Sequence, residues 1–406
     1  MSTSRFQIPE GMQDIYLGEC VRKRCVEQQL RTLFLRSGFV EIETPVLEYY
    51  RTFDDEVYGF DAQHVWKTFD RQGRVLTLRP DSTIPAVRIA ASRLKGEPLP
   101  LRLCYIQNVA AFPSDGSEAL CESTQAGVEL MGERSAQADA EMIALAIDSL
   151  RKAGLKEFQI DLGQVAFFKG FMQEAGLKPE QIEILRRYVE EKNILAMQLY
   201  LRECAVPGEV SSRLMQLPQL YGDESVLNQA EAITGNSLCK EAITNLRQIL
   251  STLEAYGCKE YISIDLGMVH AVNYYSGMIF RGITGHLGKP LLSGGRYDGL
   301  PARFGRAMPA TGFGLSISLL LSALSRQGEA FPSPAVDVVL GVTRHGLPTA
   351  LAWAEKKRGE GFNVSLMYGA NKPELLKMLQ EGRAHQAAIV TDGKVKVWSG
   401  EEQAWI

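Results

Sequence analysis

Between Leu103 and Glu133 the chain has no lysine or arginine, although Arg79, Arg88, Arg93, Arg102 and Arg134 flank the stretch and Asp115, Glu118, Glu122 and Glu129 lie inside it. A segment of this kind supplies none of the guanidinium groups that spreading phosphate charge calls for. Other absences narrow the function class. No C-x-x-C or H-E-x-x-H spacing occurs, and the histidines at 64, 270, 286, 345 and 385 lie far apart, so neither a metal site nor a cofactor is expected. The seven cysteines are odd in number and scattered, which reads as reduced thiols in a cytoplasmic protein. No apolar run approaches the ~20 residues of a membrane span, no low-complexity tract occurs, and "MSTSRFQIPEGMQDIY" lacks the basic end and apolar stretch of a signal peptide. A net charge of -4 and a pI near 5.9 argue against a large sequence-independent nucleic-acid footprint.

What is present is a chain of 406 residues, 45% hydrophobic and 23% charged, long enough for two or three domains. "LGECVRKRCVEQQLRTLFLRS" carries apolar residues at helical spacing and stops at Gly38. "FVEIETPVLEYY" alternates like a half-buried strand, and "VWKTFD" and "RVLTLRPDST" alternate on either side of a turn at "DRQG". "RLCYIQNVAAF", "ESTQAGVELMG" and "EFQIDLGQ" follow as strands, with the helix "SAQADAEMIALAIDSLRKAG" among them. Strands close in sequence favour an α+β domain around an antiparallel sheet. From about 168 to 256 charged helices dominate and predict a helical insertion. Strands return with "YISIDLGMV", "YYSGMIFRGIT" and "KPLLSGGRYDGL", and a buried helix, "GLSISLLLSAL", closes a core over 1–325. Residues 326–335 read as a linker, and strand and helix patterns alternate over 336–406 in a small α/β domain.

Three strings could carry chemistry. In "LLSGGRYDGL" two glycines let the backbone pass close to something, and Arg296 and Asp298 bracket Tyr297. Read alone, such a pair is more often a tight turn or bulge. In "NYYSG" Tyr274 and Tyr275 are read on a strand, where their rings must point to opposite faces and at most one enters a given pocket. "LTLRPDST" is read as an extended segment with Arg79, Asp81 and Thr83 on one face, a cluster suited to an ammonium group. Gln125 and Glu129 are four apart on a strand and so share a face.

Taken together and in order, these strings resemble the catalytic core of histidyl-tRNA synthetase, a class II synthetase, over roughly residues 8 to 325. "PEGMQDI" looks like the Gly-Met-x-Asp signature of that family, and "GFVEIETPVLE" is similar to its first class II motif. "LRPDST" resembles the Leu-Arg-Pro-Glu-x-Thr loop, "VNYYSGMIF" the Arg-Gly-Leu-Asp-Tyr-Tyr-Thr-Gly signature, and "GGRYDGL" matches a string nearly diagnostic of the family. The resemblance implies that Asp81 and Thr83, with Gln125, hold the α-amino group of histidine, and that Glu129 and Tyr275, beside Tyr274, hold its imidazole. Arg79 or Arg296 is left to meet the ligand carboxylate.

The departures fall on cations. Ala111 stands where the second class II motif has arginine, Leu319 where the third has arginine, and His270 at the arginine of the Arg-Gly-Leu-Asp signature. A kept amino-acid pocket without activation chemistry resembles the ATP phosphoribosyltransferase regulatory subunits of histidine biosynthesis, non-catalytic paralogues of the synthetase. That resemblance implies a class II synthetase-like antiparallel sheet flanked by helices. It also implies a short-form catalytic subunit as partner, histidine as effector, allosteric regulation, and a homodimer within a larger hetero-oligomer. No nucleic acid and no membrane are expected as partners. The alternatives are a divergent histidyl-tRNA synthetase and a histidine sensor acting on another partner.

Overall fold

The computed structural model describes residues 6–53, 64–112, 121–269, 274–328, 335–343 and 345–406. Two compact units divide the chain: Met1–Asp14 with Val26–Glu329, and Ile15–Cys25 with Ala330–Ile406. The linker expected over 326–335 lies mostly outside the described residues.

Helix α1 (Leu17–Arg36) presents Val26, Leu30 and Phe34 to the core and ends where Gly38 takes a φ of 81°. The stretch after it is not one strand. Pro45 separates β1 (Val40–Glu41), which joins the main sheet, from β2 (Leu47–Tyr49), which pairs with a hairpin of β3 (Lys67–Phe69) and β4 (Val75–Leu78). Asp70 closes that hairpin by accepting the amides of Gln72 and Arg74.

Next comes a helix that the sequence reading missed, α2 (Thr83–Ser92). Strands β5 (Leu101–Ala110) and β6 (Glu122–Met131) follow, paired antiparallel from Leu101 opposite Met131 to Ala110 opposite Glu122. Ser135 caps α3 (Ala136–Lys152) by accepting the Ala138 amide, and the apolar face of α3 packs on the sheet. Strand β7 (Gln159–Gln164) leads into the predominantly helical segment. Its helices are α4 (Val165–Ala175), α5 (Pro179–Glu190), α6 (Ile194–Glu203), α7 (Gly208–Leu214), α8 (Ser225–Ala232) and α9 (Ser237–Ala255), with a short edge strand, β8 (Tyr221–Gly222), among them.

The chain then returns to the sheet through β9 (Ile262–Asp265), β10 (Met278–Ile283), β11 (Leu292–Arg296), a short α10 (Leu300–Arg303) and β12 (Ala310–Ser316), and ends this unit with α11 (Ile317–Arg326). Nine strands in the order β1-β5-β6-β12-β11-β10-β7-β9-β8 form one sheet, antiparallel except for β1 with β5 and β7 with β9. The expected antiparallel α+β sheet is therefore present, with β6 and β12 adjacent at its interior.

The second unit contains a five-stranded sheet in the order β14-β13-β15-β16-β17, built from β13 (Val336–Val342), β14 (Val364–Tyr368), β15 (Ala384–Thr391), β16 (Lys394–Ser399) and β17 (Ala404–Trp405). Parallel β13 is buried on both faces. Val338 and Leu340 meet Ala350 and Ala354 of α12 (Leu347–Gly359), and Val339 meets Leu375 of α13 (Lys372–Gln380). All seven cysteines are free. No helix among the described residues is long and apolar enough to cross a membrane.

Candidate functional site

Asp81, Thr83, Gln125, Tyr274 and Tyr275 line one cavity of about 40 Å³, whose far wall is Ser293, Tyr297 and the Gly312–Gly314 backbone of β12. Two sequence readings need correction here. "LTLRPDST" is not extended to its end, because Thr83 is the first residue of α2 and the Asp81 carboxylate accepts the Thr83 and Ile84 amides at 2.8 and 3.2 Å. An acidic group at a helix N-terminus meets unpaired N–H donors and the positive end of the dipole. Tyr274 and Tyr275, in turn, precede β10 and do not alternate as strand residues would. Both enter the cavity wall, with ring centroids 4.9 Å apart.

Gln125 ties the loop before α2 to β6. Its amide nitrogen donates to Asp81 at 3.2 Å, and its carbonyl oxygen accepts the Ser82 amide at 2.9 Å. Burial raises the Asp81 carboxyl above the usual range, opposed by the hydrogen bonds from Gln125 and from the Ile84 and Thr83 amides. Glu129, four residues on and on the same face, is fully buried beneath the cavity. Tyr105 donates to one of its oxygens at 3.1 Å and Tyr297 to the other, while the Thr83 hydroxyl lies 3.3 Å from the Tyr105 phenol. Burial pushes Glu129 up to about 8; the Tyr297 hydrogen bond opposes this and the nearby Asp81 charge adds to it. Burial likewise raises the phenols of Tyr105, Tyr297, Tyr274 and Tyr275.

Glycines make this arrangement possible. A Cβ on Gly312 would stand 2.0 Å from a Glu129 oxygen, and one on Gly314 would stand 2.6 Å from the Gln125 side-chain nitrogen. At Gly127 it would meet the Tyr105 hydroxyl at 2.5 Å. The side chains of β5 and β6 thus lie in space that β12 and Gly127 leave empty.

The two arginines considered for a ligand carboxylate are engaged elsewhere. Arg79 donates to the carbonyls of Asn108 and Thr44, and burial lowers its pKa. Arg296 pairs with buried Asp139 at 2.8 Å and with Asp298 at 3.1 Å. No Lys or Arg among the described residues lines the cavity, and no group of three or more His, Cys, Asp or Glu among them is placed to hold a metal ion.

Of the positions where the synthetase pattern has arginine, Ala111 bridges Val65 and donates its amide to Cys121, and Leu319 sits half-buried in the first turn of α11. His270 lies outside the described residues. Beside Ala111, Phe112 stacks on Trp66 with centroids 4.3 Å apart. Tyr105 and Tyr297 were missed as partners of Glu129. Tyr297 lies inside the distinctive "GGRYDGL", but no local spacing links it to a strand so distant in sequence.

The chain has relatives that share this architecture. The family model described as histidyl-tRNA synthetase matches residues 11–320. An ATP phosphoribosyltransferase regulatory subunit of Acetivibrio thermocellus is 42% identical over 90% of this chain and 88% of its own length. One from Thermoanaerobacter pseudethanolicus is 37% identical over 90% of this chain and 95% of its own. A crystal structure from Bacillus halodurans, described as an ATP phosphoribosyltransferase regulatory subunit/histidyl-tRNA synthetase, superposes with a TM-score of 0.86 at 33% identity, covering 96% of this chain and all of that one. Histidyl-tRNA synthetase from Nostoc shares the fold at a TM-score of 0.83 and 19% identity, over all of this chain and 97% of that one.

Proposed function

The chain belongs to the ATP phosphoribosyltransferase regulatory subunits, built on the histidyl-tRNA synthetase fold, and from that premise we propose that it regulates a short-form ATP phosphoribosyltransferase without catalysing a reaction itself. Histidine bound in the Asp81–Glu129 pocket is the feedback effector, and the assembly is a cytoplasmic hetero-oligomer around a homodimer. Asp81, Thr83 and Gln125 meet the α-amino group. Glu129 and the paired Tyr274 and Tyr275 surround the imidazole. No cofactor takes part.

The observation that carries this reading is Asp81 in the wall of a cavity that no described Lys or Arg lines, with a second carboxyl, Glu129, fully buried beneath it on the strand that also carries Gln125. Two carboxylates suit a ligand with an ammonium group and a protonatable ring. Ala111 and Leu319 add support, because neither can stabilise a triphosphate. Regulation requires an effector that binds two states of the assembly unequally, and a pocket distinct from the catalytic subunit's own site meets that need.

The purified chain is expected to give no histidine-dependent ATP–pyrophosphate exchange. Exchange comparable with a true synthetase would overturn the proposal in favour of the synthetase reading. Mixed with a short-form catalytic subunit, it is expected to raise phosphoribosyl transfer and to make the rate histidine-sensitive.

A further inference from the structure

The segment Leu266–Val269 follows β9, whose Asp265 accepts the Gly267 and Met268 amides at 3.0 and 3.3 Å, and further anchors come from the helical segment. The Leu266 amide donates to the Leu220 carbonyl at 3.0 Å. Gly267 lies so close to the 3-10 turn Leu217–Gln219 that a Cβ there would stand 3.0 Å from the Leu217 oxygen and 3.2 Å from the Pro218 Cα. Arg186 of α5, held by Glu183 at 2.5 Å and Glu190 at 2.9 Å, reaches the Val269 carbonyl at 3.5 Å. On its other side the segment delivers Met268 into the apolar cluster that contains Tyr105, Tyr275 and Tyr297.

We infer that Arg186 and the Leu217–Gln219 turn are positioning elements for the pocket: they seat Leu266–Val269 and, through Met268, set the tyrosine wall, so that pocket occupancy and the placement of the helical segment are coupled. Close-packed interiors transmit such shifts because a displaced side chain has no void to relax into. The coupling is reciprocal, so a partner that moves the helical segment changes ligand affinity by the same factor that the ligand changes the partner's. The part concerning a ligand rests on the histidine reading above.

The test uses the full chain and two variants. Arg186→Met keeps the aliphatic stem and removes the guanidinium. Gly267→Ala wedges the turn away from the segment and serves if the first variant folds poorly. Hydrogen exchange of the ligand-free proteins reads the Ser276 and Tyr297 amides, which donate to Arg296 and Ala310 on the pocket side. Exchange at both is expected to quicken about fivefold or more, and the dissociation constant for L-histidine by calorimetry is expected to rise by a like factor. Faster exchange at Leu266 alone, with Ser276 and Tyr297 unchanged, overturns the inference, as does unchanged histidine affinity in variants whose exchange has quickened. If the unaltered chain binds no histidine, the effector reading falls and the exchange measurement decides the inference by itself.

Discussion

Tyr297 donates its phenolic proton to one oxygen of Glu129 while Tyr105 donates to the other, so a fully buried carboxylate is held from both sides by neutral groups and not by a cation. Its charge state is therefore set by burial more than by pairing, and its two partners fix its orientation.

Removing one partner tests this directly. Tyr297→Phe leaves a buried acceptor short of a donor and is expected to lower stability by about 1–3 kcal/mol in urea unfolding at neutral pH. The loss should grow as pH rises through about 8, where the carboxyl ionises and the missing donor leaves a buried charge less well held.

Stability of the ligand-free chain should depend on pH through the same group. Glu129 is raised from 4.5 to about 8 in the folded chain, so it binds its proton more tightly folded than unfolded. Its contribution is whole below about 4.5 and is lost as pH climbs through about 8. Asp81, also raised by burial, acts in the same sense. Glu129→Gln should flatten this slope in denaturation curves taken across the range; an unchanged slope would refute the assignment.

Histidine affinity is expected to be bell-shaped in pH. A bound carboxyl–imidazole pair shares one proton. The free imidazole titrates near about 6.5 and free Glu129 near about 8. Below both values the pair must release a proton to bind, and above both it must take one up. Affinity should peak between them, and Glu129→Gln should remove the alkaline limb, as calorimetry at several pH values would report.

Arg296 is predicted to matter for folding and not for the ligand. Its partner Asp139 has a side chain only 1% exposed, so Arg296→Met strands a buried charge and should cost about 3–5 kcal/mol. Arg296→Met with Asp139→Asn should recover much of that loss, measured by chemical denaturation.

The two glycines of β12 should differ in a defined way. At Gly312 a Cβ would also meet the Val128 carbonyl at 2.3 Å, whereas at Gly314 it meets the movable end of Gln125. Gly312→Ala is expected to lower the melting temperature clearly. Gly314→Ala should leave folding nearly intact and weaken histidine binding by displacing Gln125.

Much of the fold could be read from local pattern. The stop of α1 at Gly38, the strands β5 and β6 and the helix α3 follow from periodicity and capping chemistry, and the structure has them; of Ser135 and Asp139, the two possible starts of α3, it is Ser135 that caps. The start of α2 was misread because the alternation of "LTLRPDST" persists while Asp81, not the N-cap Ser82, supplies the hydrogen bonds that begin the helix. Tyr274 and Tyr275 were given strand alternation, yet the strand begins only at Met278. The hold of Tyr105 and Tyr297 on Glu129 joins residues far apart in sequence through a sheet order that no short window contains. The pocket members came from matched strings; the hydrogen bonds that organise them came from the fold.

The stack of Trp66 on Phe112 gives the molecule a spectroscopic division. Of the four tryptophans, Trp353, Trp398 and Trp405 belong to the C-terminal unit. With those three changed to phenylalanine, all tryptophan emission would come from an indole lying against Phe112, one residue from Ala111. A molecule arriving at that end of β5 would shift or quench this light, while the cavity lined by Asp81 and Gln125 carries no tryptophan in its lining. Occupancy of the two places could then be followed separately, by emission at one and by heat at the other.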